Sequence, residues 1–214
     1  MNLHEVYANL MTEMPKLNWK RDALMAKAVN ELKKRIAFPA FVIYDYKIPA
    51  SNNQYIIYFY QEQHGSPVLS SYFFVIFDDN KRYIVKWTDK GIPEIHMLTS
   101  HFLQRYKERF LKQPDLTANE VAVCYLSRNN SMRPMNINEK INKHIKKYGE
   151  FAGEGFLVRD GFCFKLSGEE HIEGEEQPVR ICTFTTFMPL SDMSDSQRDA
   201  ILDEYMKTPL LRAS

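Results

Sequence analysis

No stretch of this 214-residue sequence stays apolar for the roughly 18 to 20 residues that a bilayer-spanning helix needs. The start, MNLHEVYANLMTEM, lacks the basic region, apolar stretch and small-residue cleavage site of a secretory signal. The expectation is a soluble cytoplasmic chain with no membrane partner. Cysteine is scarce. Cys124, Cys163 and Cys182 are odd in number, widely spaced and set among apolar neighbours, which suits small buried hydrophobes better than a disulfide framework. A Gly-rich phosphate loop, HExxH, CxxC and GxSxG are all missing. The six histidines, at 4, 64, 96, 101, 144 and 171, show no ligand spacing on one helix or strand, so the sequence assigns no metal and no cofactor. It contains no internal repeat and no low-complexity tract.

What is present is the composition of an ordinary globular protein, 44% apolar and 26% charged, in a chain long enough to bury a large core. The net charge of +1 hides an uneven distribution. Lys16 to Arg35 carries seven Lys/Arg against two acids, and Arg128 to Lys147 carries six against Glu139, whereas Glu150 to Glu176 holds eight acids against Arg159 and Lys165. Complementary patches of this kind guide association. They motivate one functional reading, a non-catalytic module that binds another protein or its own copy.

The pattern of elements predicts a single α+β domain over residues 1–214. A helical layer occupies 1–38: a short helix over 3–12, then a longer one after Pro15, with Leu17, Leu24, Met25, Ala28, Val29, Leu32 and Ile36 at helical spacing and Pro39 as its end. Residues 40–98 read as five antiparallel strands, FVIYDYK, QYIIYFYQE, SSYFFVIF, RYIVKW and EIHML, joined by short turns. Tyr55, Ile57 and Phe59 alternate with Ile56, Tyr58 and Tyr60, so both faces are apolar and both need a helical cover. That alternation also predicts Tyr44, Tyr46, Tyr58 and Tyr60 as core rather than as a base-stacking platform. Helices fill 99–148, with a capping box at Thr117 and Glu120 and another helix from Asn136 to about Tyr148. A hairpin turning at Asp160-Gly161 and a last strand, VRICTFTTF, occupy 153–188, and a final helix opens at Ser194 and runs over 194–206.

The chemistry concentrates in MLTSHFLQRYKERFLKQ, Met97 to Gln113. At about 100° per residue, Phe102, Leu103, Tyr106 and Phe110 form an apolar arc, and His101, Arg105 and Arg109 form a stripe at its edge, with Ser100 as N-cap. Cleaving a phosphodiester without a metal needs an acid–base group near neutrality and fixed cations for the transition state, the roles of His and Arg. The stripe supplies both types, making His101, Arg105 and Arg109 the candidate catalytic residues. The competing reading is a solvated helix edge on which Glu108 pairs with Arg105.

A helix bearing His and spaced arginines, further helices, a hairpin and a last strand with threonines, RICTFTTFMP, resemble the layout of the barnase, colicin-nuclease and RelE-type ribonuclease toxins over about residues 96–190. The resemblance implies a small sheet presenting cationic and hydroxyl side chains to RNA. It makes Arg159, Lys165, Arg180, Thr185 and Thr186 candidate nucleic-acid contacts, and a metal-independent ribonuclease-like activity the leading function.

Overall fold

In the computed structural model, which describes residues 3–78, 81–89, 93–129, 132–136, 154–172 and 175–207, the β-rich segments of the chain all join one sheet. Its nine strands are β1 (Ala40–Lys47), β2 (Gln54–Gln61), β3 (Leu69–Asp78), β4 (Lys81–Asp89), β5 (Pro93–Thr99), β6 (Met132–Asn136), β7 (Glu154–Val158), β8 (Gly161–Glu170) and β9 (Val179–Pro189). The spatial order is β1-β2-β3-β4-β5-β9-β8-β7-β6. Two antiparallel meanders, β1–β5 and β6–β9, meet at a seam where β5 and β9 run parallel, with Ile95 opposite Ile181 and His96 opposite Cys182. The α+β class is as the sequence predicts, but the sheet is larger than its five-strand segment.

Among the described residues the α-helices are α1 (Leu3–Leu32), α2 (Ser100–Tyr106, continued by a π-helical turn over Lys107–Leu111), α3 (Ala118–Arg128) and α4 (Asp195–Lys207). Both sheet faces are covered. On one, α2 and α3 bury Phe102, Leu103, Tyr106, Val121 and Tyr125 against Ile56, Tyr58, Tyr60, Phe73, Phe184 and Phe187. On the other, α1 lays Val6, Tyr7, Leu10 and Leu17 over Tyr55, Phe74, Val85 and Ile95, and Ala28 and Leu32 over Ile57 and Phe59. The alternation of β2 thus divides its side chains between two cores, because successive strand residues point to opposite faces. A third cluster packs Met193, Ala200 and Ile201 on Phe162 and Phe164 at the β6–β8 end. Among the described residues no helix is long and apolar enough to cross a membrane.

Four local expectations are corrected. The N-terminal helix does not break at Pro15 but runs through it to Leu32, leaving Ile36 outside the helix and 99% exposed. An interior proline costs about 3 kcal/mol. Burial of Leu10 and Leu17 on either side outweighs it, together with Glu13, whose buried carboxylate accepts hydrogen bonds from Ser51, Asn53 (3.0 Å) and Tyr55 (2.6 Å). Helix α2 is capped by Thr99 rather than Ser100, since Thr99 Oγ1 accepts from the Phe102 N–H at 3.1 Å. The hairpin turns at Arg159-Asp160, not Asp160-Gly161, pairing Leu157 with Phe162. Neither turn residue has a positive φ, so it is not type I′. The pairing therefore moves by two residues, which keeps every side chain on its expected face. Residues 132–136, which fall within the stretch 99–148 assigned to helices, form β6. The capping box of Thr117 with Glu120 opens α3, and before α4 the Gln197 side chain accepts from the Ser194 N–H and hydroxyl. The helix expected over Asn136–Tyr148, with Lys140, Lys143, Lys146 and Lys147, lies outside the described residues apart from Asn136, which ends β6.

Candidate functional site

The stripe residues lie at the surface, His101 exposed and Arg105 and Arg109 half-buried. His101 is exposed in the first turn of α2, Arg105 pairs with Glu108 at 3.2 Å, and Arg109 donates to the Phe187 carbonyl at 3.1 Å. Arg159 is also exposed, paired with Glu62 at 2.8 Å. Thr185 donates to the Phe164 carbonyl at 3.2 Å, beside an irregularity in the β8–β9 pairing, and Thr186 lies opposite Phe164. Lys165 and Arg180 lie elsewhere. Arg180 precedes Phe187 by seven strand residues, roughly 23 Å at about 3.3 Å per residue. The eight residues singled out from sequence thus do not converge as one group, but Lys165 and Arg180 do enter a cluster that the sequence left unassigned.

That cluster straddles the β5–β9 seam on the α2/α3 face, over the first half of both strands. Glu94 and His96 are two apart on β5 and so share a face; Cys182 sits opposite His96 on β9, Ser167 opposite Cys182 on β8, and Glu154 opposite Lys165 across β7 and β8. The Cys182 thiol donates to Glu94 Oε1 at 2.8 Å. His96 Nε2 lies 3.0 Å from Glu94 Oε2, but misaligned, so this buried nitrogen makes no hydrogen bond. Lys165 Nζ donates to Glu154 Oε2 at 2.6 Å and to Ser167, whose hydroxyl donates to the same carboxylate oxygen at 2.8 Å. Arg180 reaches Glu169 at 3.8 Å and stands opposite Glu94. The Phe184 and Phe156 rings flank His96 at 5.3 and 6.1 Å, and Lys165 lies over Phe156 at 4.7 Å.

These contacts set the charge states. Burial opposes ionisation of Glu94, but the His96 imidazole and Cys182 thiol at its oxygens outweigh that, and its pKa falls to about 2. Burial, then the neighbouring carboxylate, pushes the Cys182 thiol up to about 12, so alone it is not a thiolate nucleophile. Lys165 and Ser167 hold Glu154 below the ordinary carboxylate range. His96 and Cys182 are buried, while Glu154, Ser167 and Arg180 open the cluster to solvent at its rim.

A second polar group, by contrast, is fully satisfied. Asp160 accepts from Tyr106 (2.6 Å), Arg128 (2.9 and 2.8 Å) and Asn129 (3.0 Å), tying the β7–β8 turn to α2 and α3. Compared with known protein families, with curated proteins and with solved structures, the chain matches none.

The sequence did carry a signal for the seam cluster. Glu94-Ile95-His96 places an acid and an imidazole on one face of any strand. Their partner Cys182 is brought in only by the parallel pairing.

Proposed function

We propose that the chain is a nucleic-acid-processing domain that cleaves phosphodiester bonds at the seam cluster, with the acid–base role on His96 rather than His101. The observation that carries this reading is the meeting of His96 and Glu94 with Lys165 and Arg180 on one sheet face. An imidazole is the side chain suited to moving a proton near neutrality, and a carboxylate beside it stabilises the imidazolium that forms. Lys165 and Arg180 supply fixed positive charge for the non-bridging oxygens of the transition state. The phosphate approaches from the solvent-facing rim of Arg180, Ser167 and Glu154. The resemblance in layout to the ribonuclease toxins favours RNA as substrate.

The test is cleavage of mixed RNA by the purified chain in EDTA. His96→Gln should lose about 10²- to 10⁴-fold in rate, the usual contribution of a positioned proton-transfer group, and Lys165→Gln with Arg180→Gln should weaken RNA binding and flatten its salt dependence. His101→Ala should cleave normally. Absence of cleavage by the unaltered chain, or full activity in His96→Gln, overturns the proposal.

A further inference from the structure

Three donors of different chemistry converge at the seam: one Glu94 oxygen, a His96 ring nitrogen and the Cys182 sulfur all lie within 4.8 Å of one another. In tetrahedral zinc geometry, with bonds of about 2.0 to 2.3 Å, neighbouring ligand atoms stand roughly 3.3 to 3.7 Å apart. Cys182 Sγ lies 2.8 Å from Glu94 Oε1 and His96 Nε2 3.0 Å from Glu94 Oε2, each slightly inside that spacing and on a different carboxylate oxygen, so a rotation of the Glu94 carboxylate opens room for an ion between the three side chains.

A second observation points to a ligand independently. His96 is only 5% exposed, yet its Nε2 faces this group without any hydrogen bond. A buried polar atom without a hydrogen bond costs about 1 to 3 kcal/mol; the Glu94 carboxylate 3.0 Å away offsets part of this, and a metal bond to the nitrogen lone pair removes the rest.

We propose that Glu94, His96 and Cys182 form a binding site for one soft or borderline divalent transition-metal ion of the Zn²⁺ type, with a fourth position left to water. The donor set selects the ion class. Thiolate and imidazole favour Zn²⁺ or Co²⁺ over Mg²⁺ and Ca²⁺, which take oxygen ligands. On binding, the Cys182 S–H proton leaves to solvent and an S–metal bond forms, with no change of oxidation state. One thiolate and one carboxylate then balance the two charges of the ion, as a buried site requires. Glu154, 2.6 Å from Lys165 Nζ, offsets part of the lysine's repulsion toward the ion.

A consequence, which rests on the nuclease reading above, is that the ion occupies the imidazole that moves the proton. Zn²⁺ is then an inhibitor of the site and not its cofactor.

Co²⁺ titration of the chelator-stripped full chain tests the site without reference to activity. The expected result is a 1:1 complex with the visible bands of four-coordinate Co²⁺ and a thiolate-to-metal charge-transfer band, displaced by Zn²⁺. Cys182→Ser should lose the charge-transfer band and bind at least about 10-fold more weakly; Cys124→Ser should keep both. No saturable charge-transfer band in the unaltered chain, or one that survives in Cys182→Ser, overturns the proposal, and the first of these results does not depend on any variant folding. If Co²⁺ binds as described and RNA is never cleaved in EDTA, the ion site stands and the nuclease reading falls. If RNA is cleaved in EDTA and no Co²⁺ binds, the reverse holds.

Discussion

Asp160 is the residue whose loss the fold should feel most. Its side chain is 2% exposed, and Arg128, Tyr106 and Asn129 all direct donors at it. Burial by itself would raise its pKa, but the bonds from Arg128 and Tyr106 outweigh burial and hold it below the ordinary 3.8. A carboxyl whose pKa is lower in the folded state contributes stability above its unfolded value and loses it as the pH falls through the folded one. Thermal melts should therefore show a contribution from Asp160 that is complete at neutral pH and fades below about pH 4. Asp160→Ala should lower stability at pH 7 by about 3 to 5 kcal/mol, because it strands a partly buried guanidinium, and should lose less on further acidification than the unaltered chain. Little in the sequence flags this role. Asp160 looks like a turn residue beside Gly161, and it is one, but its partners come from two helices more than thirty residues away. Phe102, Leu103 and Tyr106 were legible for the opposite reason: helical spacing on one short element decides which way they point.

Elements announce themselves where a local hydrogen bond fixes an end. The Thr117–Glu120 box at α3 is both a sequence pattern and an observed pair of bonds. At α2 two adjacent residues could each cap the helix, and pairing decides between them: Thr99 is still in β5, opposite Tyr83, and its hydroxyl also donates to the Phe184 carbonyl on β9 at 2.9 Å. Thr99→Ala should accordingly cost about 1 to 2 kcal/mol, at the upper end for an N-cap, and Ser100→Ala should cost less; urea unfolding of the two variants gives the comparison. The continuous α1 is the contrary case. Pro15 is a strong local stop, and contacts with the sheet and the Ser51–Asn53 turn, invisible along the sequence, override it. In the β7–β8 hairpin the face assignments survive a shift in pairing because strand geometry repeats every two residues. A pattern of alternation defines faces and leaves the partner open.

At the scale of the whole molecule, that openness hid the seam. Each meander is readable as a set of short strands and turns, but nothing in the alternation of EIHML or VRICTFTTF says that the two lie side by side. The candidate site depends on that adjacency, so its residues could not be grouped from the sequence, whereas the helix stripe, being local, could. The seam also has a bearing on time. Ile95 and Ile181 meet across 86 positions of chain, while β2 and β3 pair across a short turn. Bringing distant segments together loses more chain entropy before any contact repays it, so non-local pairing is slow. The two meanders should form first and the β5–β9 junction last. In chevron measurements Ile181→Val should speed unfolding and leave the folding rate almost unchanged, a φ-value near 0, whereas Ile56→Val in the β2–β3 hairpin should slow folding. Equal φ-values at the two positions would reject that order. Glu94 and His96 lie on one side of the junction and Cys182 on the other, so these three side chains face one another only in molecules that have completed the slowest step, and the site matures as the final act of folding.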